Sequence, residues 1–134
     1  MWRNGIGYTD EMPVARIRSI ALDTRDPAAL ARFYQQLIGG EVDDTDLEWV
    51  TLRGDEIPPL SFQLAPDHQA PEWLNPDRPQ QFHIDVTVSR NELAAAEAQV
   101  LAAGATKHQH QPGEAEGWRV YVDPAGHPFC LCWD

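Results

Sequence analysis

Residues 26–40 read DPAALARFYQQLIGG, a stretch that carries the signals of one amphipathic helix. Asp26 is a favoured N-cap residue, and Pro27 suits the first helical position, where the missing amide hydrogen is not needed. The apolar side chains that follow are spaced i, i+3, i+4 and i+7: Leu30, Phe33, Tyr34 and Leu37. Gly39 and Gly40 then stop the helix. The stretch predicts a helix with one buried face.

Residues 80–86 read QQFHIDV and belong to a run, 81–88, in which apolar and polar side chains alternate. This alternation predicts a strand with one apolar and one polar face. The runs at 16–23, 60–64 and 129–133 alternate in the same way. Their polar faces carry the candidate ligand-binding residues Ser19, Asp23, Gln63, His83, Asp85 and Cys130. These faces are short of lysine and glutamate, which favours a lined cavity over a surface washed by solvent.

The two halves of the chain repeat one pattern of strand, helix and three strands. Ser19 and His83, in the first strand of each half, are 64 positions apart. The last strands, aligned on Gln63 and Cys130, are 67 positions apart. Insertions in the hairpin loops would explain this drift, so the sequence predicts two copies of one module.

These patterns divide the chain into an N-terminal tail at 1–13 and a single domain at 14–134. Within the domain, module 1 spans about 14–66 and module 2 spans 80–134. The proline-rich segment at 67–79 is predicted to be an irregular linker between them.

The composition excludes several classes of function. The chain has 134 residues and a formal net charge of -11, from 10 Lys and Arg against 21 Asp and Glu. Because such a surface repels phosphate backbones and anionic lipid, we expect neither a nucleic-acid nor a membrane partner. No run approaches the roughly 18 apolar residues of a membrane span, and the first residues lack the apolar core of a secretion signal. With only two cysteines, Cys130 and Cys132, the sequence predicts a cytoplasmic protein.

The stretches at 26–40 and 80–86, with the ending VDPAGHPFCLCW at 122–133, resemble the vicinal oxygen chelate superfamily of glyoxalases, bleomycin-resistance proteins and extradiol dioxygenases. The last two stretches are similar to its glyoxalase-like domain subgroup. The resemblance implies an α+β fold in which two βαβββ modules form a curved, cup-shaped mixed sheet with the helices on its outer face. It also implies a homodimer, since members often pair modules across a two-fold axis.

Metal-using members of this superfamily take four ligands from the first and last strands of the modules, and the matching positions here are Ser19, Gln63, His83 and Cys130. His83 is a good ligand and Gln63 offers an amide oxygen, whereas Ser19 is a poor ligand at neutral pH. Cys130, a thiolate candidate, replaces the usual glutamate. The resemblance therefore implies a degenerate metal site. We expect no cofactor, and the alternative is a divalent metal such as zinc on His83, Gln63 and Cys130.

Two further features bear on the site. His83 and Asp85 lie two positions apart on one strand face, where they suit general acid–base catalysis or, equally, a hydrogen bond that ties strands together. Trp49 and Trp118 hold matching places in the two modules, either as aromatic walls of the cup or as core residues.

Two classes of function follow. The first is a glyoxalase-like protein that binds a small organic molecule without chemistry and sequesters a cationic compound, which the negative charge and five tryptophans favour. The second is a lyase or isomerase of the glyoxalase type, with metal or with His83 and Asp85 alone as catalytic residues. An extradiol dioxygenase is disfavoured, because the strands lack two histidines and a carboxylate for iron. Whether the protein is an enzyme stays open from the sequence.

Overall fold

The computed structural model describes residues 13–134 and contains two helices and eight strands. The elements of module 1 are β1 (Ile20–Thr24), α1 (Pro27–Ile38), β2 (Glu41–Asp43), β3 (Trp49–Gly54) and β4 (Ile57–Leu64). The elements of module 2 are β5 (Ile84–Thr87), α2 (Leu93–Ala102), β6 (Thr106–Lys107), β7 (Trp118–Val122) and β8 (Pro128–Cys132). The predicted tail lies outside the described residues except for Pro13.

The strands form two four-stranded mixed sheets of the same topology. Sheet 1 has the order β1-β4-β3-β2, and sheet 2 has the order β5-β8-β7-β6. In both sheets the first strand of the module pairs with the last in parallel, and the remaining pairs are antiparallel. The predicted α+β fold with two βαβββ modules is therefore confirmed. The strands belong to two separate sheets rather than one continuous sheet.

Helix α1 begins and ends as its sequence predicts. The Asp26 carboxylate accepts a hydrogen bond from the amide of Ala29 at 3.1 Å, which satisfies one of the free amides at the helix start. Gly39 follows the last turn with a φ of 80°, a conformation that glycine adopts without steric cost. The predicted apolar face is buried against the strands of sheet 1.

The start of α2 differs from the prediction. The spacing of Ser89 and Glu92 in the sequence predicts a capping box, but the Ser89 side chain makes no capping hydrogen bond. A short 3₁₀ turn, Arg90–Glu92, stands there instead and leads directly into α2. The turn is closed by the Glu92 amide, which donates to the backbone carbonyl of Ser89 at 2.9 Å. The backbone therefore supplies the partner that the side chain was expected to supply.

The predicted strand at 81–88 is shorter in the structure, and β5 begins only at Ile84. Phe82, expected on the apolar face, is 63 % exposed. The first strand is likewise shorter than expected, since β1 begins at Ile20 rather than at residue 16. Both strands form only where a parallel partner strand is available for pairing, which alternation in the sequence does not reveal.

The strand registers correct the alignment of the two modules. Asp85 pairs with Cys130 in sheet 2, and Ala21, which lies 64 positions before Asp85, pairs with Ser61 in sheet 1. Ser61 is therefore the counterpart of Cys130. Gln63, expected in that role, corresponds to Cys132 instead. The spacing is then 69 positions in both last strands, the same as between the two tryptophans.

A shared core joins the two modules. Tyr34 and Phe33 of α1 in module 1 pack against Phe129 of β8 in module 2, with ring centroids 6.4 and 5.7 Å apart. The Tyr34 hydroxyl donates a hydrogen bond of 2.6 Å to the buried carboxylate of Asp123. Burial raises the pKa of Asp123, and the bond from Tyr34 opposes that shift.

Asp123 also accepts hydrogen bonds from the amides of Ala125 and His127, at 2.8 and 3.0 Å, and so fixes the turn before β8.

None of the helices in the described part of the chain is long and apolar enough to cross a membrane.

We expect Asp123→Ala to lower the free energy of unfolding by about 2–3 kcal/mol, because it leaves a buried hydroxyl and two turn amides without their acceptor. Urea unfolding followed by circular dichroism measures the loss. The matched variant Tyr34→Phe removes only one of the three bonds and should cost about 1 kcal/mol. Equal stability of Asp123→Ala and the wild type would contradict this role.

Candidate functional site

The polar face of sheet 2 forms a cavity of about 330 Å³, which we call the module 2 cavity. Its wall includes Trp73, His83, Asp85, Trp118, Cys130 and Cys132. These residues come from β5, β7 and β8, from His83 directly before β5, and from the linker. The alternation of each strand sends their side chains to this face, while the neighbours Phe129 and Leu131 are buried in the core.

His83, Asp85 and Cys130 form a cluster at this cavity. The His83 Nε2 atom lies 3.1 Å from a carboxylate oxygen of Asp85. Parallel pairing of β5 with β8 sets Asp85 directly beside Cys130. One ligand atom from each of the three side chains lies within 4.8 Å of the others. All three were predicted from the sequence as site residues, and the strand register is the reason that they lie close together.

The surroundings of Cys130 disfavour its thiolate form. Burial is the largest cause that raises its pKa to about 12, and the negative charge of Asp85 adds to the shift. Cys132 has a raised pKa for the same two reasons. Burial and the carboxylate beside the sulfur therefore both disfavour the Cys130 thiolate in the absence of a metal, and the role of Cys130 as a metal ligand stays a prediction.

Trp118 owes its position to Gly113. A Cβ atom at residue 113 would lie 2.1 Å from the Trp118 indole ring, so only glycine allows this packing. The carbonyl of Gly113 also accepts hydrogen bonds from the amides of Gly117 and Trp118, at 2.9 and 3.1 Å. The indole is partly buried and forms one wall of the cavity.

Trp73 forms a second aromatic wall, which sequence analysis missed because the linker was treated as irregular. Its ring packs against His108 and His110, with centroids 5.0 and 5.5 Å apart. Both histidines lie in the polar stretch 107–117, whose composition is typical of a solvated hairpin. The side chain of Gln111 fixes their loop to β7, since it both donates to and accepts from the backbone of Val120. No periodicity in the sequence could have predicted this tertiary contact.

Gln80 adds an unpartnered polar atom to the same cavity. Its side-chain oxygen is buried, and it accepts no hydrogen bond from the described part of the chain. A buried amide oxygen without a partner costs free energy, which a donor on a ligand would recover. Gln80 is the first residue of the motif at 80–86, but the sequence did not predict it as a site residue.

The site residues predicted in module 1 lie elsewhere. Ser19 and Trp49 line a separate cavity on the polar face of sheet 1. Asp23 lines a third cavity, of about 400 Å³, between β1 and β5, where His83 is also part of the wall. Gln63 is exposed beside Asp23 and does not line the module 2 cavity. The module 2 cavity therefore brings together the predicted residues of module 2, and of those in module 1 only Asp23 shares a cavity with one of them, His83.

Asp23 is part of the junction between the modules. Its backbone carbonyl accepts a hydrogen bond of 2.7 Å from Nε2 of His127 in module 2. His68 of the linker makes an equivalent bond of 2.9 Å to the carbonyl of Ala125. Both imidazoles must carry their proton on Nε2, since a carbonyl only accepts. These bonds position the two modules around the third cavity.

The donors at the module 2 cavity fit a metal of zinc type. His83 supplies nitrogen, Asp85 oxygen and Cys130 sulfur, a mixture that zinc accepts and that magnesium or calcium does not prefer. This set differs from the predicted set in one member, since Asp85 stands where Gln63 was expected. In module 1 the corresponding positions, Ser19 and Ser61, carry hydroxyls that bond to each other.

Comparison with known proteins agrees with this architecture. A model of the glyoxalase-like domain family matches residues 19–132. A glyoxalase/bleomycin resistance protein/dioxygenase family enzyme from Burkholderia phytofirmans PsJN has a TM-score of 0.64 at 20% identity, over 86% of this chain and 95% of that one. A glyoxalase-related enzyme from Fulvimarina pelagi has a TM-score of 0.64 at 22% identity, over 89% and 88% of the two chains.

The fosfomycin resistance protein FosX from Listeria monocytogenes is also similar, with a TM-score of 0.67 at 16% identity over 91% of this chain and 93% of that one. No curated protein matches the sequence. The chain belongs to the glyoxalase-like domain family, within the vicinal oxygen chelate fold that the sequence resembles. At these identities the solved structures share the fold with this protein.

We expect alkylation of Cys130 by iodoacetamide, measured by mass spectrometry in a Cys132→Ser background with chelator, to rise without a plateau up to about pH 10. The reason is the pKa of about 12, since only the thiolate reacts. Asp85→Asn removes the neighbouring charge and should lower that pKa and speed alkylation. Asp67→Asn, an exposed carboxylate outside the cavity, is the control. A plateau near neutral pH would contradict the neutral thiol.

Proposed function

We propose that this protein binds a small organic molecule in the module 2 cavity and sequesters it. The observation that carries the proposal is the pairing of two tryptophan walls, Trp73 and Trp118, with the His83 and Asp85 pair in one cavity of about 330 Å³. Sites for small molecules are commonly apolar clefts of this size with a few polar groups. A flat or compact ligand would contact the rings and use the polar groups for orientation.

A cationic ligand is favoured by the charge at the cavity. Asp85 is the carboxylate of its wall, and the chain as a whole carries a net charge of -11. Tryptophan faces attract cations through their electron-rich rings, most strongly where water is displaced. The free oxygen of Gln80 would accept a hydrogen bond from a donor on the same ligand. A cation that carries a hydroxyl or amino group satisfies all of these partners.

The degenerate metal site is part of the proposal. A metal held between the modules would need ligands from β1 and β4, where this chain has the Ser19 and Ser61 hydroxyls. Neutral hydroxyls are weak ligands compared with imidazole or carboxylate. Chemistry that depends on four ligands from two modules is therefore disfavoured.

A lyase or isomerase of the glyoxalase type is the second candidate, and the cluster in module 2 favours it. His83 is within hydrogen-bonding distance of Asp85, so the carboxylate would orient the imidazole for proton transfer to or from a bound substrate. If a metal is present, His83, Asp85 and Cys130 would hold it, and it would polarise a substrate oxygen as a Lewis acid. The similar chains named as enzymes make this candidate relevant.

The homodimer and the cytoplasmic location remain part of the proposal. Within the described chain, β1 and β5 each pair along one edge, which leaves the other edge for a partner or for the cavity between them. Both cysteines are free thiols, as expected in a reducing compartment.

We expect choline to bind more tightly than its uncharged analogue 3,3-dimethyl-1-butanol in isothermal titration calorimetry. Asp85→Asn should weaken choline binding about three- to fivefold, because it removes the charge that faces the ammonium group. Trp118→Leu should weaken it by a similar factor through loss of the ring face. Because the neutral analogue carries no charge, neither variant should change its affinity by an electrostatic effect. Equal binding of the two compounds would contradict a cation site.

Asp67→Asn serves as the matched control for Asp85→Asn. It removes the same charge from the protein but lies outside the cavity. An equal effect of both variants would mean that net charge alone attracts choline.

The metal form of the second candidate has its own test. If it holds, the wild type purified without chelator contains stoichiometric zinc by mass spectrometry, and His83→Ala loses it. With chelator present, both proteins should unfold at nearly the same urea concentration, because His83 is exposed. His110→Ala removes a histidine outside the cavity and should keep the metal. Zinc-free wild type after incubation with zinc would exclude this form of the enzyme, whereas stoichiometric zinc would oppose the pure binding function.

A further inference from the structure

The polar face of sheet 1 forms a cavity of its own, of about 510 Å³, which we call the module 1 cavity. It does not share wall residues with the module 2 cavity. Trp49, which is 42 % exposed, lines it at the position that corresponds to Trp118. The duplication has therefore produced two cavities, and the chemistry of their walls has diverged.

Two arginines distinguish the module 1 cavity. In the described part of the chain, five arginines form an ion pair or donate to a backbone carbonyl: Arg25, Arg32, Arg78, Arg90 and Arg119. Within residues 13–134, Arg16, Arg18 and Arg53 have no such partner. Two of these three, Arg18 and Arg53, line the module 1 cavity. In so acidic a protein, two guanidinium groups at one cavity that form no ion pair with residues 13–134 favour a ligand as their partner.

Asp43 and Asp46 also line this cavity, and both are used by the loop that follows β2. Asp43 accepts hydrogen bonds from the hydroxyl and amide of Thr45, at 2.8 and 3.2 Å. Asp46 accepts one of 3.0 Å from the amide of Glu48. Asp43 lies near enough to Arg53 for an electrostatic interaction, but the two side chains do not form an ion pair within 4.0 Å. The loop carboxylates therefore leave both guanidinium groups able to bind a ligand.

Hydroxyl groups complete the floor of the cavity. Ser61 and Thr51 are adjacent on β4 and β3, and both are buried. The Ser61 hydroxyl is hydrogen-bonded to that of Ser19. Hydroxyls and guanidinium groups are the donors that recognise an oxyanion, and arginine binds a carboxylate through two parallel hydrogen bonds.

We propose that the module 1 cavity binds a small organic carboxylate, with the carboxylate on Arg18 and Arg53 and the attached ring or chain on Trp49. The ligand is opposite in charge to the one proposed for the module 2 cavity. The site does not depend on that proposal, because it uses different residues on a different sheet.

Titration calorimetry with benzoate, acetate and inorganic phosphate tests the site. Benzoate should bind in the millimolar range, and Arg18→Gln and Arg53→Gln should each weaken it about tenfold. Arg16→Gln, which removes an arginine outside the cavity, should leave it unchanged. Asp43→Asn should tighten benzoate binding about two- to fivefold, because it removes a negative charge that repels benzoate next to Arg53.

Trp49→Leu separates an organic carboxylate from a bare oxyanion. It should weaken benzoate binding and leave the weaker binding of acetate unchanged. Stronger binding of phosphate than of benzoate, unaffected by Trp49→Leu, would overturn the proposal in favour of an inorganic anion site. Equal losses in the Arg16, Arg18 and Arg53 variants would also overturn it, since net charge would then explain the binding.

Backbone amide shifts in NMR locate the bound benzoate. The expected shifts are at Ser19, Thr51 and Ser61, and Asp85→Asn should not alter the affinity. Shifts at Asp85 and Cys130 instead would place benzoate in the module 2 cavity and overturn the inference. Failure of choline to bind would not affect this result, so the two proposals can fail separately.

Discussion

Parallel pairing between the first and last strands of each module is the interaction on which both cavities depend. It sets Asp85 beside Cys130 in sheet 2 and Ala21 beside Ser61 in sheet 1. A parallel pair requires a long crossover, which the helix and the intervening strands supply. Because side chains alternate along each strand, this one register determines which polar groups share a face. A shift by one residue would bury the polar groups and expose the core residues of that strand.

The same register allows the two faces to diverge without loss of the fold. The apolar sides of the sheets share one core around α1 and β8, and the bond between Tyr34 and Asp123 joins the modules there. The polar sides contribute little to that core, so their side chains are free to change. Sheet 2 carries imidazole, thiol and carboxylate, whereas the cavity of sheet 1 carries guanidinium groups and hydroxyls.

Local signals in the sequence were sufficient for the fold and for half of the site. Helix α1 was predictable because its cap, apolar face and closing glycines lie within 26–40. The cluster of His83, Asp85 and Cys130 followed from alternation and the repeat. Gln63 was aligned with Cys130 instead of Cys132, because module 2 has five more residues than module 1 between its second and third strands. The spacing of a few matching residues does not show where that insertion lies. Trp73 was missed because only tertiary packing brings the linker to the cavity.

The divergence of the two faces also limits what each can do. In module 2, burial and the charge of Asp85 raise the pKa of Cys130, and the same carboxylate lies 3.1 Å from Nε2 of His83. In module 1 the equivalent positions are serines bonded to each other, and they carry no charge. A metal ion that needs strong ligands from both modules would find them in only one. A ligand that needs one tryptophan face and one side chain of opposite charge would find both in either module, with a carboxylate in module 2 and guanidinium groups in module 1. Binding by separate modules therefore suits this chain better than chemistry at a centre shared between them.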